Sequence, residues 1–315
     1  MKILVRSFAI IFLSGFCSYL AGAAVETPAA VDSGSQTAIL EPEPAKLILV
    51  DATPVDPGHV ELNLSYSIAG AAKQWQTSGN RSERKHYRMH SFDSVTNIGI
   101  LDGLDIGLTQ GIAILRDKEN NYDETGGAVD PDTGESLDET DGPHKGHGRS
   151  DLIVNARWRF YQNRDQCLRF AYVPSILIPT GRRSNFDHLG PSQGYPSLTN
   201  TFAVTKDFSR VTTSANAGYA MPLERMDDTG NSAGALNLGW GIGCHVCHWL
   251  QPQTEVLYSH NFERHGKGGK VVSLVFGFIM PITDHVRLDT GIVQDIGGSG
   301  NDQTTSGIFK IVTLI

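Results

Sequence analysis

The run GCHVCHWLQ, Gly243–Gln251, carries the most recognisable chemistry in this chain. Cys244, Cys247 and His248 have the Cys-x-x-Cys-His spacing of a c-type haem attachment site. Two thiols at that spacing can instead bond each other, or hold a metal loosely with His245 or His248. A second group, His144, His147 and Ser150, offers the base and hydroxyl that a hydrolase needs. Residues 116–149 form a long acidic stretch in which DPDTGESLDETDG spaces its oxygens as if for calcium, without the register of an EF-hand loop. Finally, Glu61, Asn63, Asp151, Asn155, Arg157, Arg159, Arg169, Glu255, Arg287 and Asp289 stand among regularly spaced apolar residues. What any of these can do depends on the elements that hold them.

The first residues speak to compartment. Lys2 and Arg6 precede an apolar run too short to span a membrane, and AGAA then offers a cleavage site after Ala23, so residues 1–23 read as a signal peptide. Cys17 follows Phe16, where a lipobox needs a small residue, so lipidation is not expected. Removing Lys2 and Arg6 takes the formal net charge from −8 to −10, which argues against a nucleic-acid partner. Cys167, Cys244 and Cys247 remain, too few for a disulfide-built scaffold. Residues 24–57 are rich in Pro, Ala and acids apart from KLILV. They read as a mostly irregular periplasmic lead-in, either a disordered tail or an ordered plug or partner-binding segment.

From His59 the texture changes to alternation. VELNLSYSI sets Val60, Leu62, Leu64, Tyr66 and Ile68 on one face, with Glu61, Asn63, Ser65 and Ser67 on the other. DLIVNARWRFY repeats the pattern with Leu152, Val154, Ala156, Trp158 and Phe160 against Asp151, Asn155, Arg157 and Arg159. Similar segments recur to the last residue, giving about 12 strands and no convincing helix. The connections alternate: tight ones such as LDGLD, QNRDQ, DFSR and ITDH, and longer polar ones such as AGAAKQWQTSGNRSERK, the acidic stretch and the medium-length DIGGSGNDQTTS. Alternation alone does not say which face looks outward, and a soluble sandwich or lipocalin-like barrel has the same period. The leader, the loop rhythm and the apolar final strand point to the membrane version.

GHVELNLSYS, GRSDLIVNARWRF, LIPTG, VTKDF, TTSANAGYAM and GFIMPITDHVRLDTGI resemble the outer-membrane proteins of the MetA-pathway phenol-degradation family, over roughly His59 to Ile315. The resemblance implies a barrel that passes small, often hydrophobic or aromatic, molecules. The acidic stretch and the Cys-His turn do not belong to the family pattern.

The expectation is therefore an all-β chain. Residues 58–315 form a transmembrane antiparallel β-barrel of the bacterial outer membrane, with short periplasmic turns and long extracellular loops. About twelve tilted strands give a backbone radius near 12 Å, so side chains leave a lumen only a few ångströms across. The ten charged and amide residues above face that lumen, where they either line a path or pair with one another. GCHVCHWLQ falls on a short periplasmic turn, which lacks the apolar crevice that a covalent haem at Cys244, Cys247 and His248 needs. A four-residue turn brings its end Cα atoms within about 7 Å, so a Cys244–Cys247 disulfide, or a pair of thiols, is the preferred reading. No cofactor, no bound metal and no catalytic residue is expected, and His144, His147 and Ser150 read as surface-loop residues. Outer-membrane lipid, lipopolysaccharide, the assembly machinery and a small solute are the partners implied. A structural or surface-interaction barrel with a filled lumen is the rival reading, and a haem- or redox-linked outer-membrane protein a third.

Overall fold

The structure, a computed structural model, describes residues 46–117, 145–184, 189–223, 232–263 and 268–315. Residues 1–23, expected to be a signal peptide, most of the expected lead-in and most of the acidic stretch, His144 included, lie outside the described residues. Thirteen strand segments follow in chain order: β1 (Val60–Trp75), β2 (Arg81–Leu101), β3 (Leu104–Asp117), β4 (Lys145–Arg149), β5 (Leu152–Asn163), β6 (Leu168–Ile178), β7 (Ser197–Phe208), β8 (Val211–Pro222), β9 (Ser232–Cys244), β10 (Gln251–Glu263), β11 (Lys270–Thr283), β12 (Val286–Ser299) and β13 (Asn301–Leu314). Each pairs antiparallel with its neighbours, β1 pairs with β13 from Glu61↔Leu314 to Trp75↔Asn301, and the ring is continuous. Both β4 and β5 pair with β3, so they are one wall strand interrupted at Ser150–Asp151, and the barrel has 12 strands.

The period-two pattern now acquires a direction. Along β3, Ile106, Leu108, Ile112 and Ile114 are exposed, while Asp105, Gly107, Ala113 and Leu115 are buried. Trp158, Phe202, Trp240 and Ile292 are likewise each more than half exposed, on strands spread around the ring. A soluble barrel buries such side chains; a wall that offers them to its surroundings belongs in lipid, where a closed barrel leaves no backbone group unpaired.

One rim carries the tight connections: Asp102–Gly103, the turn before Cys167, Ser209–Arg210, the turn after Cys247, and Asp284–His285. By the outer-membrane pattern this is the periplasmic rim. On the other rim, two expected loops are mostly strand. β1 and β2 run on to a turn at residues 76–80, and β12 and β13 turn at Gly300 (φ 66°), so QTSGNRS and GGSGNDQ are the tips of tall hairpins. Polar residues there alternate as well as apolar ones, and ladder pairing satisfies their backbone.

Residues 46–57 do not form part of the wall. They lie inside it, near the short-turn rim, with Leu47, Ala52 and Thr53 almost fully buried. The irregular lead-in thus ends as a segment packed within the lumen.

Candidate functional site: an occupied polar lumen

All ten residues singled out from the sequence project from the inner face or the inner side of the bend, and most are tied to one another. Arg157 on β5 bonds Asp105 on β3 at 2.5 Å, and Arg169 on β6 bonds Asp207 on β7. Arg287 on β12 lies 3.4 Å from Asp289 and 3.9 Å from Glu61, whose carboxylate also accepts a hydrogen bond from Asn97 Nδ2 at 2.9 Å. Asn63 is on the same inner face, its Oδ1 buried without a bond. Asn155 and Asn97 flank Gly107, which leaves room for both amides. Arg159 differs: it bonds Asp102 in an exposed turn at 2.7 Å, so it belongs to the rim. Charges in a narrow lumen are costly unless paired, and this wall pairs them.

Glu255 and Asp151 have another role, because each holds a segment that enters the barrel. Leu47 N–H donates to Glu255 Oε1 at 2.9 Å, and Ile48 and Leu49 N–H donate to Oε2 at 3.1 and 3.2 Å. Three consecutive amides around one carboxylate form an anion nest. Further along, Asn216 Nδ2 donates to Val50 O, Ala52 N–H donates to Thr205 Oγ1, and Val55 N–H donates to Asp105 Oδ2 at 2.8 Å. Lys310 Nζ donates to Leu47 O. The segment therefore touches β3, β7, β8, β10 and β13 and spans the bore. Leu47 packs on Val275 and Ile279, and Ala52 on Ala171 and Ala203. Side-chain-free wall receives the leucines: a Cβ at Gly239 would overlap Leu49, and one at Gly277 would come within 2.6 Å of Leu47.

At the long-loop rim the connection between β6 and β7 folds inward. Asp151 accepts bonds from Gly181 N–H, Ser192 Oγ and Gln193 N–H at 2.6–3.0 Å. Leu189 packs on the inward-facing Ala113 and Leu115. Beside this loop, a cavity of about 360 Å³ is lined by Gln193, Tyr195, Ser197, Met221, Phe262 and Glu263 among others.

At the cysteines the turn lies elsewhere than expected. Cys244, Cys247 and Cys167 are all free. The tight turn is Cys247–Leu250, closed by Leu250 N–H to Cys247 O, while Cys244 is the last residue of β9, opposite Val211. The two thiols are not the ends of one turn, which was the geometry the disulfide required. His147 faces outward on β4. Ser150 Oγ accepts the Gly111 N–H across the strand break at 2.9 Å.

Asp105 and Lys310 escaped the sequence reading although Asp105 is buried and Lys310 half-buried on the lumen side. Asp105 had been absorbed into the turn LDGLD, and Lys310 into an apolar terminal strand, yet its period with Val312 marks it as inward.

Residues 89–305 match the family described as "Putative MetA-pathway of phenol degradation". No curated protein sequence matches the chain. Among solved structures, the COG4313 outer membrane channel from Pseudomonas putida F1 is similar at 10% identity, with 86% of this chain and 100% of that one covered and a TM-score of 0.65. The CymD monoaromatic hydrocarbon channel is similar at 10% identity, covering 82% of this chain and 88% of that one, with a TM-score of 0.44. With its own barrel spanning the matched residues, the chain belongs to the MetA-pathway phenol-degradation family of outer-membrane β-barrels.

Proposed function

We propose that the protein passes small molecules, hydrophobic or aromatic ones among them, through its lumen when residues 46–57 leave their seat. One observation carries this reading: what fills the bore is a separate segment, held by side-chain-to-backbone bonds and two leucines, while the wall closes without it. The rim cavity, with Tyr195 and Ala220 beside Gln193 and Ser197, has the size of a site for one small ring. The family's link to phenol degradation supports an aromatic solute. On this reading passage is physical and no bond is broken, Ser150 being a backbone acceptor and His147 turned away from the lumen.

Planar-bilayer conductance and liposome uptake of phenol-sized solutes test the proposal on the full protein and on a variant lacking residues 46–57. Increased conductance and uptake in the variant are expected. Silence from both would favour the rival reading, a filled structural barrel, for which the inward loop held by Asp151 is the supporting observation.

A further inference from the structure

We propose that the outer face of β2, β3 and β4 binds the phosphates of lipid A, the phosphorylated glycolipid of the leaflet next to the long-loop rim. The inference rests on the barrel's place in the membrane and not on passage through its lumen.

The register sets the site. Arg88, Arg116 and Lys145 are directly opposed on three adjacent strands. One row nearer the membrane centre come His90, Ile114 and His147, and below them Phe92, Ile112 and Arg149. All of these share the face on which Ile112 and Ile114 are exposed, and Arg88, Arg116, Lys145, His147 and Arg149 are exposed with them. The cations thus stand at the point where the apolar band ends.

Directly opposed like charges in a sheet repel one another across about 5 Å. Three in a row with two histidines beneath need an anion from outside. Among the described residues none of the four basic side chains makes an ion pair, and no acid shares their face. Asp117, beside Arg116, is buried on the inner side with a partner of its own, and Asp93 also faces inward. Elsewhere this rim is dressed differently. On β8 and β10, Tyr219, His260 and Phe262 form a ring ladder with centroids 4.4 and 6.3 Å apart, and the single cation Lys270 stands opposite His260 in place of a row of three.

The arrangement matches an amphipathic anion. Phosphates can be shared by the guanidinium forks of Arg88 and Arg116 and the Lys145 ammonium. Acyl chains then run down over Ile114, Ile112 and the Tyr66–Phe92 ring pair, whose centroids are 4.7 Å apart. Free inorganic phosphate would use the first half of this site and gain nothing from the second.

The full-length protein, extracted from outer membranes in mild detergent, is examined by native mass spectrometry with added bis-phosphorylated lipid A, dephosphorylated lipid A, or inorganic phosphate. The wild type should retain the phosphorylated lipid, and the variant R88Q/R116Q/K145Q should retain at least about tenfold less. Equal retention by the two, or equal retention of the dephosphorylated lipid by the wild type, overturns the proposal. So does inorganic phosphate that displaces the lipid completely at millimolar concentration. If the triple variant fails the heat-modifiability check for folding, R116Q and K145Q alone decide: each should lower retention severalfold, and unchanged retention in both sinks the assignment.

Discussion

Replacing Glu255 by glutamine keeps the side chain's shape and removes the charge to which Leu47, Ile48 and Leu49 donate. Hydrogen bonds to a charged group contribute about 1.5–3 kcal/mol each when net effects are measured. Glu255→Gln should therefore weaken seating by at least about tenfold and raise the mean single-channel conductance. An unchanged conductance trace would show that the nest does not hold the seal. Lys46 works in the opposite sense. Its ammonium is buried without a hydrogen bond, and burial pushes it below the ordinary lysine range, with Asp51, Asp207 and Glu255 pulling it back. The seated state thus binds fewer protons than the displaced one. Seating strengthens as pH rises from that lowered value towards 10.5, and below the window the penalty is constant. Lys46→Met should reduce conductance at neutral pH and flatten its fall at alkaline pH; conductance traces from pH 7 to 10.5 check both.

Among the elements, strands were the most legible part of the chain. Period two is a local property, and VELNLSYSI or DLIVNARWRFY displays it without help from any distant residue. The tips QTSGNRS and GGSGNDQ read as loops because small polar residues hide the same period. The lumen segment was legible only as an apolar KLILV in an irregular stretch. What seats it are Glu255, Thr205, Asn216 and Asp105, 50 to 208 residues away in sequence. The cysteine turn failed for a related reason. Where a hairpin turns is set by ladder pairing with Val211 and Gln253, which a four-residue motif does not contain. The β6–β7 loop can be tested as an element. Asp151→Ala removes the acceptor for two backbone amides and a hydroxyl, and should free the loop. Increased protease cleavage between residues 182 and 193, with the barrel itself intact, is the expected result. Resistance equal to the wild type would mean that Leu189 packing alone suffices.

For the whole molecule, the side chains decide the solvent. Leu108 is outward and nearly half exposed, between Thr96 and Val154 on the neighbouring strands. Leu108→Arg should destabilise the barrel in lipid by about 2–4 kcal/mol, read from urea unfolding in vesicles. The same change would be nearly neutral on the surface of a soluble barrel. The ring also closes through β1 and β13, so the lumen segment enters directly from the wall's first strand. Its covalent continuity with β1 has a quantitative consequence. A short tether fixes the effective concentration of the segment at its seat near millimolar. A free peptide copy of residues 46–57 should displace it only as the added concentration approaches that range. The fraction of barrels that stand sealed is therefore set within each molecule, and stays the same however many copies the membrane holds.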